Sequence, residues 1–228
     1  MIIGGFQKSS LIDYPGMISA IIFTKGCNFK CPYCHNPELF ENTSSDLIKP
    51  DDVLSFLSTR KGKLDGVVVT GGEPTLQHDL KDFIKEIKDM DFLVKLDSNG
   101  TNPEMLKELI NENLVDYVAM DIKAPIDRYS EVVCSKVKEE DILISIDFLI
   151  QNHVDYEFRT TIVSSQLSYF DFNEIGKILD GAKKYYLQKF VPTKTLDKSF
   201  MTKKTYSDEQ FEEIKNLLSQ YVDFVDIR

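Results

Sequence analysis

Residues 66–90, GVVVTGGEPTLQHDLKDFIKEIKDM, consist of an apolar run that stops at two glycines and a longer part with apolar residues at helical spacing. The first part predicts a β-strand over 66–70, and the second part predicts a helix over 77–90. This order, a β-like run followed by a helical segment, is repeated along the chain. Such alternation is typical of parallel strands with helices packed outside them.

Five further segments have the features of buried strands, because they are short, apolar and bounded by Gly, Asn or Pro. They are 18–24, 92–97, 116–122, 156–163 and 184–190. Other segments have helical spacing, and several begin with Pro, Asp or Ser, which are favoured at helix starts. They are 50–60, 103–112, 139–152, 170–180 and 207–220.

Six strand–helix units in 228 residues predict an α/β fold of one domain, residues 1–228. A complete eight-unit barrel typically needs about 250 residues, so we predict an incomplete (β/α)6 TIM-like barrel. An open doubly wound sheet is the alternative, because the pattern does not say whether the outer strands curl towards each other. In either architecture, ligands bind at the carboxyl ends of the strands, which here carry polar or glycine-containing stretches.

The composition excludes some classes of function. A formal net charge of −10 argues against a surface that binds nucleic acid, which needs clustered Lys and Arg. No stretch approaches the roughly 18 consecutive apolar residues of a membrane span, and the first residues do not resemble a signal peptide. We therefore expect a cytoplasmic protein without a membrane or nucleic-acid partner.

Three of the four cysteines, Cys27, Cys31 and Cys34, follow the first predicted strand within one tight loop. Crowded thiolates in a reducing compartment indicate a metal site, and they are the ligands of iron–sulfur clusters. A structural zinc site with His35 as the fourth ligand is the alternative, whereas disulfide pairing would leave one thiol over. Cys134 stands apart in a polar stretch, and we interpret it as incidental.

The Cys-x3-Cys-x2-Cys spacing, with aromatic Tyr33 before the last cysteine, resembles the signature of the radical S-adenosylmethionine (SAM) superfamily. The stretches CPYCHNPELF (31–40) and FQKSSLIDYPG (6–16) are similar to activating proteins of glycyl radical enzymes. Those of anaerobic ribonucleoside-triphosphate reductase are the most similar, and the pyruvate formate-lyase activating enzyme is a relative. The resemblance extends from residue 3 to about residue 197.

This resemblance implies that the three cysteines hold a [4Fe–4S] cluster whose fourth iron binds SAM. Reductive cleavage of SAM would then give a 5′-deoxyadenosyl radical. The implied substrate is a glycine Cα in a partner glycyl radical enzyme, and the implied electron donor is a flavodoxin or a ferredoxin-type protein. Two alternatives stay open: a radical SAM enzyme acting on a small molecule, such as a 7-carboxy-7-deazaguanine synthase, and a non-enzymatic zinc-binding interaction module.

Two motifs after predicted strands match those that the family uses for SAM. The resemblance assigns Gly71, Gly72, Glu73 and Pro74 to the SAM amino group, although an isolated GGEP is also an ordinary turn before a helix. It assigns Asp121 to the ribose hydroxyls and Lys123 to the SAM carboxylate. A solvated Asp/Lys pair at a strand end is the other interpretation.

The remaining candidates lie in neighbouring stretches. Asp97-Ser98-Asn99-Gly100 matches a family motif near SAM, with Ser98 and Asn99 as candidate contacts, but Asn-Gly is also a common turn. In some relatives the Asp at this position helps to bind a monovalent cation. Three further side chains are candidates because of their chemistry alone: Tyr33 and His35 to flank the adenine, and Arg159 to meet a carboxylate or form a surface ion pair.

Overall fold

The structure is a computed structural model that describes residues 1–40 and 47–228. Its described residues form eight strands: β1 (Ile3–Ser10), β2 (Ser19–Thr24), β3 (Gly66–Gly71), β4 (Leu93–Ser98), β5 (Tyr117–Asp121), β6 (Asp155–Ile162), β7 (Lys184–Lys189) and β8 (Phe224–Ile227). The α-helices are α1 (Pro50–Ser58), α2 (Leu80–Lys88), α3 (Pro103–Asn111), α4 (Tyr129–Val132), α5 (Glu139–Ile150), α6 (Tyr169–Ile178) and α7 (Asp208–Leu218). None of these helices is long and apolar enough to cross a membrane.

All eight strands belong to one sheet, in which their spatial order is their order in the sequence. β1 pairs antiparallel with β2, and every later pair is parallel. A doubly wound sheet would reverse its strand order at a switch point, and this sheet does not. The predicted α/β fold, an incomplete barrel, is therefore confirmed.

The six predicted strands are β2 to β7, and the six predicted helices are all present. The sequence analysis did not predict β1 and β8, which extend the sheet at its two edges. The helix predicted over 77–90 begins at Leu80 instead, since a short 3₁₀ helix, Pro74–Leu76, occupies the turn before it. α4, a single turn, was not predicted.

Side chains alternate between the two faces of each strand. On β6, Phe158 is buried in the apolar layer between the sheet and the helices, whereas Arg159 and Thr161 point to the concave inner face and line a cavity. The apolar layer is the larger core and includes the buried faces of the main helices. The inner face is thus left available for polar groups.

The amino-terminal half of the barrel interior is filled by side chains. Tyr14, Ile21, Val68 and Tyr117 form a small buried apolar cluster there. Beside it, the buried carboxylate of Glu157 accepts hydrogen bonds from the Tyr117 hydroxyl, at 2.9 Å, and from both terminal nitrogens of Arg228, at 2.9 and 3.1 Å. We call this set the floor of the barrel.

Candidate active site at the carboxyl ends of the strands

A cavity of about 260 Å³ opens at the carboxyl ends of the parallel strands, above the floor. Residues from all six of the polar stretches that follow the predicted strands contribute to its wall. Among them are Cys27, Cys31, Tyr33, Cys34, His35, Gly71, Gly72, Glu73, Asp97, Ser98, Asn99, Asp121, Lys123, Arg159, Thr161, Gln188 and Leu196. Of the candidates from the sequence, Pro74 alone does not line the cavity, because it is buried as the first residue of the 3₁₀ helix.

The cysteine loop is held at the cavity by backbone hydrogen bonds. The Gly26 carbonyl accepts from the Glu73 N–H at 2.8 Å, and the Pro32 carbonyl accepts from the Asp197 N–H at 2.9 Å. The three thiols of the loop, those of Cys27, Cys31 and Cys34, are free and all face the cavity. Cys134 is exposed and does not contribute to the cavity wall.

Burial raises the pKa of Cys27 to about 12 and that of Cys31 to about 11, so these thiols are protonated near neutral pH without a metal. Coordination to a cationic metal centre removes such protons. In the described part of the chain, no three His, Cys, Asp or Glu side chains converge on one point as ligands of a single ion do. Three thiolates are the soft ligands that iron–sulfur clusters need, so the donor set of the loop fits such a cluster.

Gly71 and Gly72 form the turn after β3, and the backbone of the cysteine loop approaches both closely. Gly71 has φ of +122°, and a Cβ at this position would lie 2.5 Å from the carbonyl oxygen of Thr24. A Cβ at Gly72 would lie 2.6 Å from the carbonyl carbon of Gly26 and even closer to its oxygen. The two glycines therefore allow the β3 turn to pack directly on the residues before the first cysteine.

Glu73 is only 1% exposed, and its carboxylate joins three segments of the site. Oε1 accepts from the Thr75 N–H at 3.1 Å, the Thr75 hydroxyl at 2.5 Å and the Ser98 hydroxyl at 2.9 Å. Oε2 accepts from the Asn99 N–H at 2.7 Å. Burial raises the pKa of Glu73, and these hydrogen bonds oppose that rise. The side chain thus fixes the β4 turn, which carries two of the candidate contacts, against the β3 turn.

A Glu73→Gln substitution is expected to lower the free energy of unfolding by about 1–3 kcal/mol, measured by urea denaturation. The backbone N–H groups of Thr75 and Asn99 donate to different oxygens of the Glu73 carboxylate. In either orientation of the substituted amide, its NH₂ group would therefore face one of these N–H donors and lose that hydrogen bond. Exposed Glu86→Gln is the matched control and should change stability by less than about 0.5 kcal/mol. Equal urea midpoints for the two variants would contradict this account.

Charged side chains from β4, β5 and β6 form a continuous network in the cavity wall. Asp121 accepts from Arg159 Nε at 2.9 Å and from Lys123 Nζ at 3.1 Å. Asp97 accepts from Arg159 Nη1 at 3.3 Å and from Lys95 Nζ at 2.5 Å. Burial alone would raise the pKa of Asp121, but the charges of Arg159 and Lys123 outweigh it and lower that pKa to about 2. Burial would also raise the pKa of Asp97, but the charges of Arg159 and Lys95 lower it, so both carboxylates are ionised near neutral pH.

The network decides between interpretations that the sequence left open. Arg159 is 13% exposed and bridges two carboxylates, so the surface ion pair was the wrong alternative. The Asp121–Lys123 pair lies in the cavity wall rather than in solvent. Lys95 was missed, because a lysine within an apolar strand pattern gives no sign of which partner it meets.

The two aromatic candidates contact different parts of the chain. Tyr33 is buried, with the Lys123 ammonium 6.0 Å from its ring centre. The His35 ring lies 5.5 Å from that of Phe190, and its Nε2 is 2.9 Å from the Val191 carbonyl oxygen. His35 therefore joins the cysteine loop to the stretch after β7.

Comparison with known proteins agrees with this arrangement. The family model of the radical SAM superfamily matches residues 21–180. Over 234 aligned residues, the chain is 36% identical to a protein of Methanocaldococcus jannaschii that bears the provisional name of a glycyl-radical enzyme activating enzyme, covering 100% of this chain and 95% of that protein. It is 28% identical to the pyruvate formate-lyase-activating enzyme of Clostridium pasteurianum, over 64% of this chain and 63% of that enzyme.

A solved structure shows the same fold. The radical SAM methyltransferase from Sphaerobacter thermophilus superposes with a TM-score of 0.74, covering 96% of this chain and 68% of the methyltransferase. At 15% identity, this likeness concerns the fold alone. The superfamily match and the full-length relative go further, and from them the chain belongs to the radical SAM superfamily and, within it, to the glycyl-radical enzyme activating enzymes.

Proposed function

We propose that the protein cleaves SAM reductively at a [4Fe–4S] cluster and installs a glycyl radical on a partner enzyme, an anaerobic ribonucleotide reductase. The observation that carries this proposal is the meeting, in one cavity, of three loop thiols with the turns and charged side chains that follow β3 to β6. We further propose a flavodoxin or ferredoxin-type protein as electron donor, and a location in the reducing cytoplasm.

Membership of the superfamily implies a [4Fe–4S] cluster and SAM. Cys27, Cys31 and Cys34 would hold the cluster, and the cluster would supply the electron that breaks the sulfonium bond of SAM. Three thiolates would leave one iron of a [4Fe–4S] cluster without a protein ligand, and that position would be open to SAM.

The other residues would bind and orient SAM. The Glu73 carboxylate already accepts four hydrogen bonds from the chain, so the backbone carbonyls of the Gly71–Gly72 turn are the better acceptors for the SAM amino group. Lys123 would pair with the SAM carboxylate and Asp121 would accept from the ribose hydroxyls. Tyr33 and His35 would flank the adenine, and Ser98 and Asn99 would form the adjoining wall.

The full-length relative supports a macromolecular substrate. The similar protein of Methanocaldococcus jannaschii bears the name of an enzyme that activates another enzyme. A glycine on a loop of a partner protein would be presented from the mouth of the cavity.

Anaerobic coexpression with an anaerobic ribonucleotide reductase, followed by electron paramagnetic resonance (EPR), tests the proposal. We expect a glycyl doublet on the reductase that is absent when the reductase is expressed without this protein. A protein that forms 5′-deoxyadenosine but leaves every candidate glycyl radical enzyme without a doublet would contradict the activase function. Stoichiometric SAM consumption with a small metabolite would then point to the small-molecule alternative.

A further inference from the structure

Lys95 is a buried cation in the middle of the barrel. Its side chain is 2% exposed and lies on β4, two residues before Asp97, so both side chains point to the inner face of the sheet. Lys95 Nζ donates to Asp97 Oδ1 at 2.5 Å. A buried ammonium is very unfavourable unless a carboxylate accompanies it. Removing either partner of this pair would therefore leave an uncompensated buried charge.

Arg159 alone does not form a short ion pair with both carboxylates. Its Nε donates to Asp121 at 2.9 Å, whereas its Nη1 is 3.3 Å from the second oxygen of Asp97. Lys95 supplies the shorter contact to Asp97. With Lys95 in place, each oxygen of Asp97 has a cation of the chain beside it, and Arg159 keeps its better contact with Asp121.

The network as a whole contains three cations and two anions, so it carries one net positive charge. The cations are Lys95, Arg159 and Lys123, and the anions are Asp97 and Asp121. This surplus suits a ligand that brings one carboxylate into the cavity. Removing Lys95 would make the network neutral and leave Asp97 with the longer of its two ion pairs.

We propose that Lys95 is the internal counter-ion of Asp97 and a positioning residue for SAM, so that the site needs no inorganic cation beside Asp97. This deepens the proposed function and rests on it. The monovalent cation that the resemblance implies beside Asp97 is therefore not expected in this chain, because the ammonium of Lys95 already neutralises this carboxylate at 2.5 Å.

The first test is SAM binding by equilibrium dialysis to the cluster-loaded, unreduced protein in choline, sodium or potassium chloride at equal ionic strength. The parent protein is expected to bind SAM equally well in all three salts. Lys95→Met is expected to raise the dissociation constant in choline by about 10- to 100-fold, as loss of an outer-shell partner typically does. Potassium should recover part of that loss, because Met is one heavy atom shorter than Lys and leaves space for a small cation.

A second measurement does not depend on the cluster. The melting temperature of cluster-free Lys95→Met should be higher in potassium than in choline, whereas that of the parent should not differ. The double variant Lys95→Met/Asp97→Asn removes both charges and should show no response to potassium, and exposed Lys63→Met should behave as the parent does.

The inference would be overturned if the unsubstituted protein needed potassium to bind SAM. It would also be overturned if Lys95→Met bound SAM in choline as tightly as the unsubstituted protein does. Weakened binding with no response to potassium in either measurement would reduce Lys95 to a structural residue and also overturn it. If the parent fails to bind SAM in every salt, the proposed function fails, while the melting temperatures still report on the counter-ion.

Discussion

Cys31→Ala is expected to abolish both the [4Fe–4S] cluster and the production of 5′-deoxyadenosine. Three thiolates are the minimum that leaves a cubic cluster with one open iron, and the loop has no further thiol to replace a lost one. Iron and sulfide analysis after anaerobic reconstitution, EPR of the reduced protein with and without SAM, and an assay for 5′-deoxyadenosine measure the effect. We expect all three signals to fall to background.

Cys134→Ala is the matched control, because Cys134 is exposed and lies outside the cavity wall. It should keep the iron content, the EPR signal that changes with SAM and the rate of cleavage. The fold of Cys31→Ala should also persist, since the substitution removes one sulfur atom from a small buried side chain. A Cys31→Ala protein that still cleaves SAM, or a parent that takes up zinc without iron, would refute the cluster assignment.

Gly72→Ala is expected to have the second largest effect, through the backbone rather than through a chemical group. The added Cβ would overlap the Gly26 carbonyl, which cannot move without displacing the start of the cysteine loop. We expect a loss of about 3 kcal/mol in the free energy of unfolding, at the upper end of typical overpacking effects. Cluster uptake should fall with it, because the loop that carries the thiols is shifted.

Gly62→Ala separates the overlap from simple loss of a glycine. Gly62 has φ of +72°, but a methyl group added there would lie in open space, so only the left-handed backbone strain, about 1–2 kcal/mol, remains. Urea denaturation and iron content of both variants give the comparison. Gly62→Ala should bind a full cluster, and equal effects of the two substitutions would show that close approach at Gly72 is unimportant.

The repeated part of the fold could be predicted because each unit has a strong local signal. The runs GVVVT and DYVAMDI are apolar on both faces, as strands between helices and a filled barrel must be, and they correspond to β3 and β5. The edge strands lack this signal. β1 has the sequence IGGFQKSS, with two glycines and a polar second half, and β8 has only four residues. Their pairing depends on the neighbouring strand, which no local pattern describes.

The site could be predicted as a set of stretches but not as a network. The βα-repeat places the ends of β2 to β7 at one edge, so residues as distant as Cys27 and Arg159 were expected near each other. The ion pairs among these side chains could not be predicted, because they depend on distances across the barrel. Arg159 therefore had two interpretations, and Lys95 had none.

The filled floor of the barrel bears on the order of binding under the proposed function. Tyr14, Tyr117 and the Glu157–Arg228 pair occupy the amino-terminal half of the interior, whereas the cavity opens at the opposite end. If SAM and a protein substrate both reach the cavity from that mouth, a docked partner would cover the path of SAM. SAM would then bind before the partner, and its cleavage products would leave after the partner departs.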